Sequence, residues 1–167
     1  MGNNADKVWL AAYTKSRHEK KAHDQLSKKG IESYLPLVKR RQQWKDRKQW
    51  VWMPLFRSYI FVHIPLTHTL DVLQTHGVHH LVRFNNQYAV IPGEQIEAVR
   101  RILEGGYTPD SHDYLEIGQE AEIAAGPLRG IRGVLFRKGR GSKFVLRIDG
   151  IRQAISVEIA ADLLKKL

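Results

Sequence analysis

The sequence predicts an α+β fold in two parts: an N-terminal α/β sandwich, in which helices cover an antiparallel sheet, and a small C-terminal β-barrel. Apolar patterns in residues 1–104 predict elements in the order β-α-β-β-α-β-β-α, which is typical of a sheet layered with helices. Residues 105–116 are rich in Gly, Pro, Ser and Asp and lack periodicity, as expected of a linker. Residues 117–167 contain short alternating segments separated by Gly-rich turns, such as Gly139-Arg140-Gly141, which favour a barrel.

The first strands of the N-terminal part are predicted by three apolar runs: Val8–Thr14, Ser33–Val38 and Arg57–Ile64. In the third run, successive side chains alternate between the two faces of a sheet. Tyr59 and Phe61 therefore share one face, and Ile60 and Val62 share the other. This alternation alone leaves open which face packs on the helices.

The segment SRHEKKAHDQLSKKG predicts the first helix. Its Ser16-x-x-Glu19 pattern indicates a capping box, in which the serine hydroxyl binds an amide of the first turn and the glutamate reaches back to the cap. Gly30 predicts the end of the helix because glycine adopts the left-handed conformation at least cost. Ala22 and Leu26 lie one turn apart and are expected to face the core.

A short helix, a hairpin and a longer helix complete the N-terminal part. Asn85 and Asn86 favour a tight hairpin turn because asparagine tolerates positive φ. Glu97 and Arg101 are expected to form an ion pair along the longer helix. The side chains expected to face the core are Leu70 and Leu73 in the shorter helix, which Gly77 ends, and Ile96, Val99 and Leu103 in the longer one.

A basic ribbon, Lys39–Trp50, lies between the second and third strands, and its composition predicts an exposed hairpin or loop. It carries six Lys or Arg side chains against one Asp. The basic side chains can hold phosphates, and Trp44 and Trp50 can stack on exposed bases, a contact worth about 1–3 kcal/mol per base. Alternatively, the two tryptophans cover the hydrophobic face of the hairpin. The sequence leaves both roles open.

The positive charge of the chain is concentrated in its N-terminal part. Residues 1–104 carry 17 Lys and Arg against 9 Asp and Glu, a balance of +8, whereas residues 105–167 carry 10 against 8, a balance of +2. A concentrated positive field favours contact with nucleic acid. The chain has no cysteine, no apolar leader at its N-terminus and no apolar run of membrane-spanning length, a pattern that fits a cytoplasmic protein.

The sequence carries no motif for catalysis. It lacks a Gly-rich phosphate loop, a nucleophile elbow and an HExxH pattern, and its Asp and Glu residues are scattered rather than paired. His76, His79 and His80 form a histidine cluster, but Gly77 interrupts any helix there, and strand alternation is expected to point His79 and His80 to opposite faces. We therefore predict neither enzymatic activity nor a metal site nor a cofactor.

Several stretches resemble the N-terminal domain of NusG-type transcription elongation factors: YTKSRHEKKA, GIESYLPL, PLFRSYIFVHI, HGVHHLVRF and VIPGEQIEAVRRIL. PLFRSYIFV and GVHHLVRF are most similar to the specialised RfaH and UpxY types of antiterminator. The later stretch IGQEAEIAAGPLRGIRGVLFR resembles the KOW motif that opens the C-terminal barrel of the family. The resemblance implies a NusG N-terminal domain over residues 1–104 and a KOW domain over residues 117–167. The matching KOW residues are Gly126, Pro127, Gly130 and Gly133.

The resemblance implies a transcription antitermination factor that binds RNA polymerase. In that family an aromatic depression grips the clamp helices of the polymerase and a second segment touches the opposing lobe of the β subunit. Bridging the two holds the clamp closed and suppresses pausing. The resemblance also implies that the face bearing Tyr59 and Phe61 is the outward one. The matching positions are Tyr59, Phe61 and Phe84 in the depression, Pro54 and Phe56 at its rim, and His68, Thr69 and Leu70 in the second segment.

The resemblance further implies contact with non-template or upstream DNA, and a ribosomal protein or the termination factor Rho as partner of the KOW domain. It favours a monomer. An alternative from another class is a KOW-containing, RNA-binding protein that is associated with the ribosome and does not bind polymerase. The predicted nucleic-acid-binding residues are Lys15, Arg17, Lys20 and Lys21 around the first helix, Thr75 and His76 after the second, and Lys39, Arg40, Arg41, Lys45, Arg47 and Lys48 on the basic ribbon.

Overall fold

The computed structural model describes residues 6–113, 118–138 and 141–167, which fall into two compact units. Unit 1 comprises the residues up to Leu37 together with Pro54–Gly93, and unit 2 comprises Val38–Met53 and Glu94–Leu167. This grouping differs from the predicted domains, whose boundaries at residues 104 and 117 stay predictions. No helix within the described ranges is long and apolar enough to cross a membrane.

Short strands dominate both units. The three α-helices of the described ranges are α1 (Glu19–Lys28), α2 (Thr69–Leu73) and α3 (Gly93–Glu104). The described strands are, in chain order, β1 (Val8–Thr14), β2 (Glu32–Tyr34), β3 (Leu37–Trp44), β4 (Arg47–Pro54), β5 (Tyr59–Ile64), β6 (Val78–Leu81), β7 (Arg83–Phe84), β8 (Gln87–Tyr88), β9 (Val90–Ile91), β10 (Asp110–Asp113), β11 (Gln119–Ile123), β12 (Arg132–Lys138), β13 (Gly141–Ile148), β14 (Gln153–Val157) and β15 (Leu164–Lys166).

The sheet of unit 1 is antiparallel, with the strand order β2-β5-β1-β6, and β9 also pairs with β1. One face of this sheet packs against α1 and α2. The resulting core confirms the predicted inward positions on the first helix and the predicted alternation along β5. Its buried members include Leu10 and Ala12 of β1, Ile60, Val62 and Ile64 of β5, Ala22 and Leu26 of α1, and Val72 of α2.

Helix α1 does not begin with the predicted capping box. Its first residue is Glu19, the N-cap position is His18, and no side chain caps the helix. Arg17, at φ 61°, turns the chain at this point and separates Ser16 from the helix start. The buried Glu19 carboxylate instead accepts the backbone N–H of Ser58 at 3.0 Å. A local sequence pattern cannot anticipate this bond, because its donor lies 39 residues away. Gly30, at φ 74°, follows the end of the helix as predicted.

Glu19→Ala is expected to destabilise unit 1 by about 1.5–3 kcal/mol, because the alanine leaves the Ser58 N–H without its charged acceptor. Glu19→Gln retains an acceptor oxygen at the same position and is expected to cost less. Chemical denaturation gives the loss of stability, and hydrogen exchange of the Ser58 amide reports the bond itself. Equal losses for the two variants, with Ser58 still protected, would contradict this role for Glu19.

The predicted strand Ser33–Val38 is two strands, β2 and β3, interrupted at Pro36. Proline has no N–H to donate to a ladder, so it ends the pairing of β2 with β5. The Pro36 carbonyl accepts the N–H of Leu55 at 2.9 Å, which joins the two ends of the following hairpin. That hairpin is β3-β4, a separate two-stranded sheet, and it confirms the hairpin predicted for the basic ribbon.

The remaining elements of the predicted N-terminal part follow the sequence in part. Asn85 and Asn86, at φ 50° and 61°, form the turn of the β7-β8 hairpin, as predicted. Helix α2 is only one turn long, and Val72 is its buried residue; the predicted inward positions of Leu70 and Leu73 are wrong, since both are exposed.

Helix α3 buries Ile96 and Val99 as predicted, but its last buried side chain is Ile102, and Leu103 is half-buried. The predicted ion pair between Glu97 and Arg101 is wrong. Glu97 pairs with Arg100 at 3.5 Å, and Arg101 makes other contacts.

Unit 2 contains a six-stranded antiparallel sheet with the order β10-β14-β13-β12-β11-β15. Val134, Val145 and Ala154 form a buried cluster in its middle, with Phe136 packed against them. The edge strands β10 and β15 do not pair with each other in the described part of the chain, so no closed barrel is found there.

Strand β10 lies inside the segment predicted as a linker. Its backbone pairs with β14, from Asp110 opposite Ser156 to Asp113 opposite Gln153. Backbone hydrogen bonds of this kind do not require an apolar side-chain pattern, which is why the polar composition of the segment hid the strand. The predicted linker continues over residues 114–117, and part of the predicted turn at Gly139–Gly141 falls at residues 139–140; both stretches lie outside the described residues.

Candidate nucleic-acid and protein interfaces

The β3-β4 hairpin has two different faces. Lys39 Nζ lies 5.6 Å from the centre of the Trp50 ring, and Gln42 Nε2 lies 3.3 Å from Met53 Sδ. Each of these contacts joins one side chain of β3 to one side chain of β4 on the same face of the hairpin. Alternate residues of a strand share a face, so the two contacts determine the face of every other side chain of the hairpin. We call the face with Trp50 the open face; its members are Lys39, Arg41, Gln43, Lys48, Trp50 and Trp52, all of them exposed.

The tryptophans of the hairpin are exposed rather than packed over it. Trp44, Trp50 and Trp52 are 56%, 58% and 55% exposed. The alternative that Trp44 and Trp50 cover a hydrophobic face of the hairpin is therefore wrong. Trp52 was missed in the sequence analysis, although its spacing of two residues from Trp50 would have placed both rings on one face.

The opposite face of the hairpin is held within unit 2. Arg40, predicted to bind nucleic acid, donates hydrogen bonds to the Pro109 carbonyl at 3.0 Å and to the Asp110 carboxylate at 3.4 Å. Val38 on the same face is buried. The structure thus uses Arg40 as an anchor of the hairpin. Lys39, Arg41, Lys45, Arg47 and Lys48 keep exposed side chains.

A second basic cluster surrounds the start of α1 in unit 1. Its members Lys15, Arg17, Lys20 and Lys21 are all exposed, as expected of phosphate-binding side chains. His76, also exposed, lies against His18 with ring centres 5.9 Å apart.

The predicted DNA contact at Thr75 does not fit the structure, in which this residue is buried. Its hydroxyl donates to the Asp71 carbonyl at 2.8 Å and accepts from Lys29 Nζ at 3.0 Å. Thr75 therefore fixes the end of α2. Lys29, exposed beside it, is a cation that the sequence analysis missed.

An aromatic row crosses three neighbouring strands of unit 1. Tyr13 of β1 lies between Tyr59 of β5, at 5.3 Å edge to face, and His80 of β6, stacked at 5.0 Å. We call these three residues the Tyr–His row. All three keep part of their surface exposed. Tyr13 and His80 were not among the predicted site residues; the pairing of Tyr13 with both Tyr59 and His80 depends on strand register, which the sequence does not reveal.

Two members of the Tyr–His row, Tyr59 and His80, have pKa values shifted toward the neutral form. Burial raises the pKa of the Tyr59 hydroxyl above its usual value, and the neighbouring Tyr13 raises it further. Loss of solvent around the His80 ring lowers its pKa below the usual value, and the nearby His79 lowers it further. Both shifts favour the neutral form, so the row presents apolar rings with polar tips, a combination common at protein interfaces.

The prediction that His79 and His80 point to opposite faces is wrong. Their Nδ1 atoms lie 2.7 Å apart. The pairing of β1 with β6 shifts register between Tyr13 and Thr14, and this irregularity breaks the simple alternation. Across the residues with defined placement, no group of three or more His, Cys, Asp or Glu side chains is arranged to hold a metal ion.

The predicted polymerase-binding residues divide into buried and exposed sets. Phe61 is 0% and Phe56 is 1% exposed, and their rings meet edge to face at 5.9 Å. The expectation that Phe61 points outward is therefore wrong, although Tyr59 on the same strand face remains accessible at the edge. Phe84, 71% exposed, lies on the separate β7-β8 hairpin. Leu70 and His68 are exposed, and Pro54 and Thr69 are half-buried.

The residues that match the KOW motif form a loop and the strand after it. Gly126 and Gly130, at φ 86° and 92°, adopt a conformation that glycine tolerates best. Arg101 of α3 donates to the carbonyls of Pro127 at 2.7 Å and Arg129 at 2.9 Å, which fixes the loop. Gly133 in β12 faces the neighbouring strand so closely that a side chain would collide with it.

Comparison with known proteins agrees with this fold. Residues 7–100 match the family model for NusG, described as transcription termination factor nusG. Among solved structures, the chain is similar to Thermotoga maritima NusG, in a structure described as domain interaction in that protein. The identity is 18%, the TM-score is 0.55, and the match covers 97% of this chain and 98% of that chain. It is also similar to the MjSpt4:Spt5 complex in conformation A, with 15% identity, a TM-score of 0.32, and 96% and 98% covered. Because the family match spans more than half of the chain, the protein belongs to the NusG family of transcription factors.

Proposed function

We propose that this protein is a transcription antitermination factor of the RfaH and UpxY type, which binds the clamp helices of RNA polymerase and suppresses pausing or termination. The observation that carries the proposal is the Tyr–His row: it offers accessible aromatic rings on unit 1, and all three of its residues lie within the family match. Tyr59 is the centre of the proposed contact.

The proposal gives the predicted contact residues different roles according to their exposure. Tyr59, Phe84 and Leu70 can touch a partner directly, and the Tyr–His row adds Tyr13 and His80 to them. The buried Phe56 and Phe61 support the surface from below. Pro54, His68 and Thr69 complete the proposed set, the last two toward the opposing lobe of the β subunit. Binding both sides of the polymerase favours its elongating state because the factor has higher affinity for that state.

The basic surfaces are proposed to contact non-template or upstream DNA. The cluster at the start of α1 and the open face of the hairpin are both exposed and cationic, which suits contact with phosphates. The residues that match the KOW motif would recruit a ribosomal protein or Rho. In this proposal the factor acts in the cytoplasm as a monomer, with a domain over residues 1–104, a KOW domain over residues 117–167, and no catalytic step.

Retention of core RNA polymerase by the immobilised full-length chain tests the proposal, with Tyr59→Ala and Tyr59→Phe beside the wild type. The wild type and Tyr59→Phe are expected to retain the polymerase, because both keep the ring in the Tyr–His row. Tyr59→Ala is expected to lose at least about tenfold in affinity, as is typical of a central aromatic at an interface. Trp44→Ala, on the hairpin, serves as a control for loss of an exposed aromatic.

Two outcomes would overturn the proposal. Full retention by Tyr59→Ala would remove Tyr59 from the polymerase contact. No retention by the wild type would favour the alternative, an RNA-binding and ribosome-associated KOW protein, which predicts co-sedimentation with ribosomes instead.

A further inference from the structure

We infer that the open face of the β3-β4 hairpin binds single-stranded nucleic acid, with an unpaired base held against Trp50 and Trp52. Lys39, Arg41 and Lys48 would neutralise the phosphates on either side. The inference deepens the nucleic-acid contact of the proposed function by naming its ligand class and the two rings that hold the ligand.

The spacing of the two tryptophans suits a planar base. Side chains two residues apart on a strand are about 6.6–6.8 Å apart, which is twice the stacking distance of about 3.4 Å between neighbouring nucleotides. This backbone spacing matches the thickness of one base held between the two side chains. Trp44, equally exposed, has no such neighbour, since it lies on the opposite face of the hairpin.

Exposure of the two indoles is itself evidence for a ligand. Each ring leaves more than half of its surface in water, and large apolar groups clustered on a protein surface mark binding sites. Cationic side chains surround the rings: Lys39 Nζ lies 5.6 Å from the Trp50 ring centre. Stacking rings beside a positively charged groove is the arrangement that binds single strands without sequence preference.

A single strand fits this face better than a duplex or an acidic protein does. In a duplex the bases are stacked inside and offer no free face to the indoles, so only phosphates remain for the hairpin to bind. An acidic polypeptide matches the charge but carries no series of planar rings. The combination of flanking cations and paired indoles therefore selects unpaired bases.

The hairpin presents this face in a fixed orientation within unit 2. Arg40 on the opposite face is bonded to Pro109 and Asp110, and Gln42 contacts Met53. These contacts order the hairpin before any ligand arrives, which lowers the entropic cost of binding.

Fluorescence anisotropy of a labelled thymidine oligonucleotide of about 12 nucleotides, titrated with the full-length protein, tests the inference. The same oligonucleotide annealed to its complement supplies the duplex. The variants are W50A/W52A and the matched control W44A, which removes an equally exposed tryptophan from the opposite face. We expect W50A/W52A to lose about tenfold or more in single-strand affinity with duplex affinity unchanged, and W44A to bind both ligands as the wild type does.

A second variant separates charge from stacking. The slope of log affinity against log salt changes by about 0.7 for each phosphate of a single strand that the protein neutralises. K39Q/R41Q/K48Q removes three positive charges and is therefore expected to reduce the magnitude of this slope by about 2. W50A/W52A is expected to leave that slope unchanged. Circular dichroism establishes that the variants are folded as the wild type is.

Three results would overturn the inference: single-strand affinity of W50A/W52A equal to the wild type, an equal loss in W44A, or an equal loss of duplex affinity in W50A/W52A. Competition by polyglutamate at matched charge as strong as by the oligonucleotide would instead assign the face to an acidic protein. Polymerase retention by W50A/W52A distinguishes the two proposals. If stacking fails while retention persists, only the present inference falls; if retention by the wild type fails while stacking persists, only the polymerase proposal falls.

Discussion

Gly133→Ala is expected to destabilise the sheet of unit 2 strongly. An added Cβ would collide with the Val145 carbonyl oxygen and would lie 2.7 Å from Cζ of the Phe144 ring. Both atoms belong to β13, the neighbour of β12, and Phe144 is fully buried. Neither the backbone oxygen nor the buried ring can move aside without breaking the pairing of the two strands.

The expected loss is about 3 kcal/mol or more, at the upper end of the range for overpacked sites. Unit 2 has about 90 residues, so at about 0.05–0.15 kcal/mol per residue its total stability is about 5–14 kcal/mol, and the substitution would remove a large share of it. Gly130→Ala is the control: nothing lies within 4 Å of the added Cβ, although its φ of 92° is strained. It is expected to cost about 1–2 kcal/mol.

Thermal unfolding and the amide spectrum of the β12 and β13 residues measure the two effects. The close approach at Gly133 would be refuted if Gly133→Ala kept its strand signals and lost no more stability than Gly130→Ala. This comparison also distinguishes the reasons for the two glycines that match the KOW motif. Gly133 is required because neighbouring atoms leave no room for a side chain, and Gly130 is required because of its backbone conformation.

Features that depend on neighbouring residues in the chain were predictable from the sequence. Strand β1, the end of α1 at Gly30, the turn at Asn85 and Asn86, and the buried positions Ile96 and Val99 all follow from local propensity or periodicity. The resemblance to the NusG family was also visible in local stretches of the sequence. The family match over residues 7–100 confirms this resemblance. The RfaH and UpxY subtype stays a prediction.

Features set by distant residues were not predictable. Ser16 and Glu19 fit the spacing of a capping box, yet Glu19 bonds to Ser58 in the turn before β5. Strand β10 pairs through its backbone with β14 and so leaves no pattern in its side chains. In both cases a favourable partner elsewhere in the fold outweighed the local preference.

Basic residues show why net charge alone does not locate a site. Arg40 belongs to the basic ribbon and Arg101 to the last turn of α3. The guanidinium groups of both donate hydrogen bonds to backbone carbonyls of unit 2. Their neighbours Arg41 and Lys48 remain exposed on the open face. Side chains alternate between the two faces of a strand, and only one face of the hairpin packs on protein. Arg40 lies on that face, whereas Arg41 and Lys48 lie on the other.

Phe61→Ala is expected to lower the stability of unit 1 by about 3–5 kcal/mol, the usual cost of removing a buried phenylalanine ring. Phe61 is fully buried and packs edge to face on Phe56, which is itself buried. Loss of polymerase retention in this variant would therefore report unfolding and could not by itself assign a contact to Phe61.

Phe61→Leu separates the two roles because it keeps most of the buried apolar volume. If Phe61 supports Tyr59 from below, Phe61→Leu is expected to lose about 1 kcal/mol of stability, within the range for volume-conserving core substitutions, and to retain polymerase. If the Phe61 ring itself contacts the clamp helices, retention falls while denaturation shows a folded protein, and the buried ring must become exposed on binding. The burial of Phe61 favours the first result. Tyr59, accessible at the edge of the same face, then carries the contact that the family resemblance assigned to both residues.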